Sequence, residues 1–245
     1  PTGSIWIKTT TPNLGANWIV KKFSSSTNGW TIVSAPLYKT NAGALAGLDK
    51  TGGGLNLALG SLYVKCNDTE VSPTIADFKI YARNATGATS VTSQASAGAG
   101  SFQFKIKESI LNSEQLTNWT IVTFSGSTNE SDFADNFIAA LTAKLAETTW
   151  GAGSEEVAYS SNIVVSKTST NKIVIKHLLG GDIKISDDDG AIYSMFNGAT
   201  NFYADPDGTS DAYVMTNWIS DIDGWIAEAS PTALTTEPAN GQLWY

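Results

Sequence analysis

The sequence predicts an α+β, β-rich fold: an antiparallel β module into which a small α+β unit is inserted. Three observations lead there. Charged residues make up only 16% of the chain while Gly, Ser, Thr and Asn are abundant, a composition that suits strands and turns more than helices. Short alternating or β-branched runs recur between turn residues. One segment alone, 131–147, carries a strong helical period.

The elements follow in chain order. The run 3–8, Gly-Ser-Ile-Trp-Ile-Lys, is matched at 60–65 by Gly-Ser-Leu-Tyr-Val-Lys, and a second apolar run recurs at 17–22 and 77–83. Each copy reads as a hairpin whose polar loop holds Pro12 or Pro73. A third copy begins at 241–245. Between the first two lies a short helix, 40–48, capped by Thr40 or Asn41 and ended by the glycines 52–54. The small-residue stretch 95–100 reads as a linker. Beyond it come strands at 102–106 and 119–124, the helix, and strands at 162–166, 171–177 and 182–186. In the helix Phe133, Phe137, Ile138, Leu141 and Leu145 share one face, Asn129 or Ser131 caps it, and Asp132 and Asp135 suit its N-terminal dipole. The expected organisation is therefore 1–96 as a β-rich domain, 97–200 as an inserted α+β domain, and 201–245 as an aromatic segment returning to the first.

Composition also bounds function. Lys and Arg total 15 against 23 Asp and Glu, a net charge of −8, which leaves no electrostatic footprint for nucleic acid or an anionic membrane. Cys66 stands alone, so no intrachain disulfide can form. No apolar run reaches the ~18 residues of a membrane span. Pro1 at the start and a strand in progress at Tyr245 read as the cut ends of a longer protein.

The residues that could carry chemistry read mostly as structure. His177 is the only histidine; it ends an alternating strand on the side of Ile173 and Ile175, and no Gly-x-Ser-x-Gly elbow accompanies it. Asp49-Lys50-Thr51-Gly52 matches a phosphorylated-aspartate signature, but it sits at a helix end before a glycine turn and lacks the membrane helices and nucleotide domain that chemistry requires. Asp187-Asp188-Asp189-Gly190, Asp205-Pro206-Asp207-Gly208 and Asp221-Ile222-Asp223-Gly224 could each give part of a calcium shell, yet none continues into a closing Glu, so they read as Asp-Gly turns. With 8 Trp in an acidic chain, sugar stacking is the competing use of the aromatic residues. Trp6, Trp18 and Trp119 fall within alternating runs, and their expected place is the core. No catalytic, cofactor-binding or metal-binding residue is assigned, and an enzyme is not expected.

The closing run 238–245, Pro-Ala-Asn-Gly-Gln-Leu-Trp-Tyr, and the opening Gly3-Ser4-Ile5-Trp6 resemble the Leu-Trp strands of large phage virion proteins. The capped helix followed by Ile/Val strands and Gly180-Gly181-Asp182-Ile183 is similar to modules inserted in phage tail and flagellin-like proteins. Taken together, the chain resembles the protease-resistant outer part of a contractile tail sheath subunit from a giant myophage. That resemblance implies a virion structural protein, made in the host cytoplasm and placed in the contractile tail. Its copies would form hexameric sheath rings through regions outside this piece, meet tail tube and baseplate proteins, and contract to drive envelope penetration. The piece itself is expected to be monomeric, with no nucleic acid, membrane insertion or cofactor. A tail fibre or baseplate protein with carbohydrate or receptor binding is the alternative.

Overall fold

The computed structural model describes residues 20–24, 26–67, 77–110, 117–147, 149–150, 157–158, 160–187, 190–205, 211–220, 227–228 and 243–244. The chain divides into two compact units: Pro1–Ala44, Ala58–Asn84 and Trp218–Tyr245 form the first, Leu45–Leu57 and Ala85–Asn217 the second. The fold is β-rich α+β, and its sheets are overwhelmingly antiparallel. Among the described residues no helix is long and apolar enough to cross a membrane.

The first unit contains β1 (Val20–Ser24), β2 (Gly29–Val33), β3 (Leu37–Tyr38), the start of α1 (Asn41–Leu48), β4 (Leu62–Asn67) and β5 (Asp77–Arg83). After the second unit the chain returns to it with β16 (Trp218–Ser220), β17 (Ala227–Glu228) and β18 (Leu243–Trp244). Two four-stranded sheets result, in the orders β17-β18-β1-β2 and β16-β5-β4-β3. Pairing of β4 with β5 gives the expected hairpin of the second repeat copy, and the Leu-Trp strand β18 lies against β1. The run 3–8 of the first copy lies outside the described residues. Alternation sends Leu62 and Val64 into a core with Val20, Ala35 and Ala82. On the other side of β4, Tyr63 is fully buried, stacked on Tyr81 at 5.2 Å and edge-on to Trp218 at 4.9 Å. The hydroxyl of Tyr63 donates to Asn41 Oδ1 at the head of α1, where the Gly43 N–H donates to Thr40 Oγ1.

The second unit contains β6 (Thr89–Thr92), β7 (Gly98–Glu108), β8 (Thr120–Ser127), α2 (Glu130–Leu145), β9 (Thr149–Trp150), β10 (Val157–Ala158), β11 (Ile163–Lys167), β12 (Ile173–His177), β13 (Ile183–Ser186), α3 (Ala191–Phe196), β14 (Phe202–Ala204) and β15 (Ala212–Met215). A five-stranded sheet runs β14-β15-β13-β7-β8 and a three-stranded one β11-β12-β6, while β9 and β10 pair with each other. Several of these strands differ from the expected organisation. β6, placed in 1–96, is hydrogen-bonded to β12, and β14 and β15, placed in 201–245, extend the sheet of β7 and β13. Residues 98–100, read as linker, belong to β7.

Helix α2 spans Glu130–Leu145 where 131–147 was predicted, and Asn129 caps it by accepting from the N–H groups of Ser131 and Asp132 at 2.9 and 3.2 Å. Its apolar face, Phe133, Phe137 and Leu141, packs on β8 and β11 and so bridges the two sheets. Phe137 lies parallel to Phe104 at 5.3 Å and edge-on to Phe124 at 5.2 Å. Near the start of that sheet the β7–β8 ladder slips between Gly98 and Ser101. Gly126 passes so close there that a Cβ would stand 2.1 Å from the Gly98 carbonyl oxygen.

The ring of Phe137 is wholly excluded from water and touches aromatic neighbours on two faces. Phe137→Ala is expected to cost about 3–5 kcal/mol in a denaturant titration, and Phe137→Leu less than half of that.

Candidate functional site

The second unit concentrates its buried polar groups where β7 ends. Along β7, Phe104, Ile106 and Glu108 alternate onto the buried side, so period 2 carries a carboxylate into the interior with no exposed surface at all. His177, at the end of β12, is equally enclosed at 2% exposure, beside Ile173 and Ile175 as its period requires. The Glu108 carboxylate accepts the Asn162 N–H at 3.3 and 3.2 Å, at the entrance to β11. Its Oε2 lies 3.1 Å from His177 Nε2, although that N–H is not aimed along the line between them.

Around this pair the backbone is tied in several directions. Glu108 N–H donates to Thr117 Oγ1 at 2.9 Å, and Thr117 N–H returns to the Glu108 carbonyl at 2.8 Å. Ser109 N–H donates to the Asp182 carbonyl, and Asp182 N–H to Ser109 Oγ, both at 3.0 Å. Gly181 N–H donates to His177 Nδ1 at 3.0 Å. An Nδ1 that accepts cannot carry the proton, so the neutral ring holds it on Nε2, facing Glu108. A side chain on residue 181 would bring its Cβ within 2.6 Å of the imidazole Cε1, which is why a glycine stands there. Both ring nitrogens are thus turned to the protein's own groups. A small cavity adjoins, lined by Leu45, Ala46, Gly53, Ser109, Ile110, His177 and Leu179.

The other sequence candidates also serve turns and caps. Asp49 Oδ1 accepts from Gly52 N–H at 3.0 Å and Asn56 Nδ2 at 3.2 Å, and Oδ2 from the N–H groups of Gly54 and Asn56 at 3.1 and 2.9 Å. Burial raises this carboxyl, and the hydrogen bonds from Asn56, Gly52 and Gly54 outweigh burial, holding it below its ordinary value. Asp187, first of the acidic run before Gly190, accepts from Ile192 and Tyr193 N–H at 2.5 and 3.2 Å and so caps α3 across the turn. Asp205, of the second Asp-Gly run, pairs with Lys184 at 2.7 Å. The third run, 221–224, and Trp6 and Trp18 lie outside the described residues; Cys66 falls in β4.

One expectation about the aromatic residues is corrected. Trp119 is half-buried rather than in the core, with Lys107 Nζ 4.4 Å from its ring centre. Counting on from the Ile106–Thr120 pair places Trp119 opposite Lys107, on the face of the sheet away from α2. Sequence reasoning missed Glu108 altogether, although the alternation that marks Phe104 and Ile106 continues to it.

Removing the Glu108 side chain leaves the buried Asn162 N–H without its acceptor and takes away the carboxylate beside His177 Nε2. Glu108→Ala is expected to cost on the order of 1–3 kcal/mol for the orphaned Asn162 donor, read by chemical denaturation, with Glu108→Gln losing less because one acceptor oxygen survives. Asp49 gives a pH-dependent test. Because its folded-state carboxyl lies below the ordinary value of 3.8, its contribution is complete above that value and fades as pH falls through the depressed one. Asp49→Asn should destabilise the protein at neutral pH, and the gap to the parent protein should narrow in melts taken progressively below 3.8.

No family model, curated protein or solved structure matches the chain.

Proposed function

We propose that this chain is a non-enzymatic virion structural module, the outer domain of a contractile tail sheath subunit. In this reading the parent protein polymerises around a tail tube through regions outside the described units, and contracts to drive the tube through a host envelope. The family assignment is supported by the resemblance of the Leu-Trp strands and of the capped helix with its Ile/Val strands.

One observation carries the structural role. The single histidine, the group best suited to acid–base work near neutral pH, has Nδ1 engaged by Gly181 N–H and Nε2 turned to a buried carboxylate. Groups arranged in this way hold backbone segments together rather than meeting a substrate. Asp49 and Asp187 are spent likewise, on a turn and on a helix cap. A tail fibre or baseplate domain is the second reading, favoured by the half-exposed Trp119 beside Lys107.

Negative-stain electron microscopy of the purified, concentrated full-length parent protein tests the assignment. Hollow tubes of regular diameter are expected. Thin trimeric rods would move the assignment to a fibre, and unassembled particles to a baseplate protein.

A further inference from the structure

A single backbone amide holds the buried pair at the end of β7 in its charge state. In the neutral ring of His177 the proton sits on Nε2, 3.1 Å from Glu108 Oε2, while Nδ1 accepts the Gly181 N–H at 3.0 Å. Glu108 is wholly buried, and one more proton on the ring would set a charge of opposite sign beside its carboxylate. That proton can enter only at Nδ1, where the Gly181 N–H already points. The ring therefore charges only if the amide swings away.

The turn after β12 is built of residues that allow this. Leu178, Leu179, Gly180 and Gly181 follow the histidine, the Gly180 N–H donates to the His177 carbonyl at 3.1 Å, and Gly180 stands at φ +73°. Turning over the peptide between residues 180 and 181 moves the Gly181 N–H off the ring and brings the Gly180 carbonyl round as an acceptor for a protonated Nδ1. The path of the chain is kept. Only ψ of residue 180 and φ of residue 181 change, and glycine at both places makes the new values accessible. The small cavity beside His177, Ser109 and Leu179 gives the turn room to adjust.

The surroundings leave few other sites for the proton. From β11 and β6, Ile163 and Thr89 stand opposite the histidine, and from α1 and the turn after it Leu45 and Gly53 face the cavity; none is charged. Asp49, in that turn, directs both oxygens at the amides of residues 52, 54 and 56. Lys176 is exposed on the other face of β12. Glu108 and Asp182, the latter 1% exposed and next to Gly181, are the buried carboxylates nearby.

We propose that His177 and the Gly180–Gly181 peptide form an acid-operated latch, closed at neutral pH with the Gly181 N–H on Nδ1 and opened when the ring takes a second proton and the peptide turns over to present its carbonyl. Opening slackens the attachment that comes next in the chain, where the Ser109 N–H donates to the Asp182 carbonyl and the Asp182 N–H to Ser109 Oγ, both at 3.0 Å. The ladder of β13 on β7 stays paired. The closed latch is the state in which the Glu108–His177 knot holds the unit, and the device stands apart from the sheath assignment.

The chain has one histidine, so a long-range nitrogen–proton NMR spectrum of the full 245-residue chain reports this ring alone. At about pH 7.5 it is expected to show the Nε2–H tautomer. As the pH falls from about 7.5 to about 4.5, through the ordinary imidazole range, both ring nitrogens should become protonated and the Gly181 amide should shift with the same midpoint. The amides of Ile106 and Ile175 should stay in place, while the protection factors of Ser109 and Asp182 fall about tenfold. Gly180→Asn keeps the closed turn, because asparagine tolerates a left-handed φ, but hinders the opened one, which sets residue 180 at positive φ with an extended ψ that glycine alone adopts. This variant should charge its ring about one pH unit lower, a tenfold loss of proton affinity. If it melts early, the Gly181 amide of the parent chain decides by itself. The proposal is overturned if the ring keeps the Nε2–H tautomer until the unit unfolds, which would put the proton on Glu108 or Asp182. It is equally overturned if the neutral ring carries its proton on Nδ1, if the ring charges while the Gly181 amide stays still, or if folded Gly180→Asn titrates as the parent does.

Discussion

A carboxylate with no exposed surface is the constraint around which the second unit is organised. Burying Glu108 is tolerable only if its oxygens find partners, and these come from the other sheet: the Asn162 N–H at the start of β11, which donates to both oxygens, and the ring of His177 at the end of β12, whose Nε2 lies 3.1 Å from Oε2. The five-stranded and three-stranded sheets are therefore tied at one place by polar contacts, while α2 ties them elsewhere through Phe133, Phe137 and Leu141. Apolar contact is non-directional and would tolerate sliding; a carboxylate that must meet two particular groups does not. The polar knot thus fixes the relative register that the aromatic core leaves open.

The same economy governs the turns. Asp49 gathers three backbone N–H groups and one side-chain amide into a single turn, and Asp187 reaches across Gly190 to the head of α3. Short acidic motifs of this kind look like catalytic or metal signatures when read by pattern alone. Their geometry shows another use, since both oxygens of Asp49 and the Oδ2 of Asp187 accept from the chain's own amides. The two turns are closed by charge-assisted hydrogen bonds as well as by backbone conformation.

Local periodicity made much of this legible. The alternation of Ile173, Ile175 and His177 put the histidine inside, and the 3.6-residue period of Phe133, Phe137 and Leu141 located α2 to within two residues at its end. What escaped lies in long-range pairing or in weak local signals. Glu108 follows Phe104 and Ile106 on one side of β7, so its burial was readable, but nothing local to either residue says that β7 and β12 meet. α3 has six residues and no capping side chain at Gly190, and its cap comes from Asp187 three positions earlier. β6, β14 and β15 were displaced from their unit because strands of three or four residues carry too little pattern to reveal which sheet they join. Trp119 was misplaced because an aromatic residue in an alternating run suits either face, and only the β7–β8 register decides between them.

Hydrogen exchange at two amides tests most directly the claim that the Glu108–His177 knot holds the second unit together. Asn162 N–H is bonded to Glu108 and Gly181 N–H to His177, and neither bond belongs to a strand ladder. If the knot opens only when the unit unfolds, both amides exchange in the slowest class, with the denaturant dependence of the core strands around Ile106 and Ile175. Fast exchange at either amide, insensitive to denaturant while those strands stay protected, would show the knot opening by itself and would contradict the account.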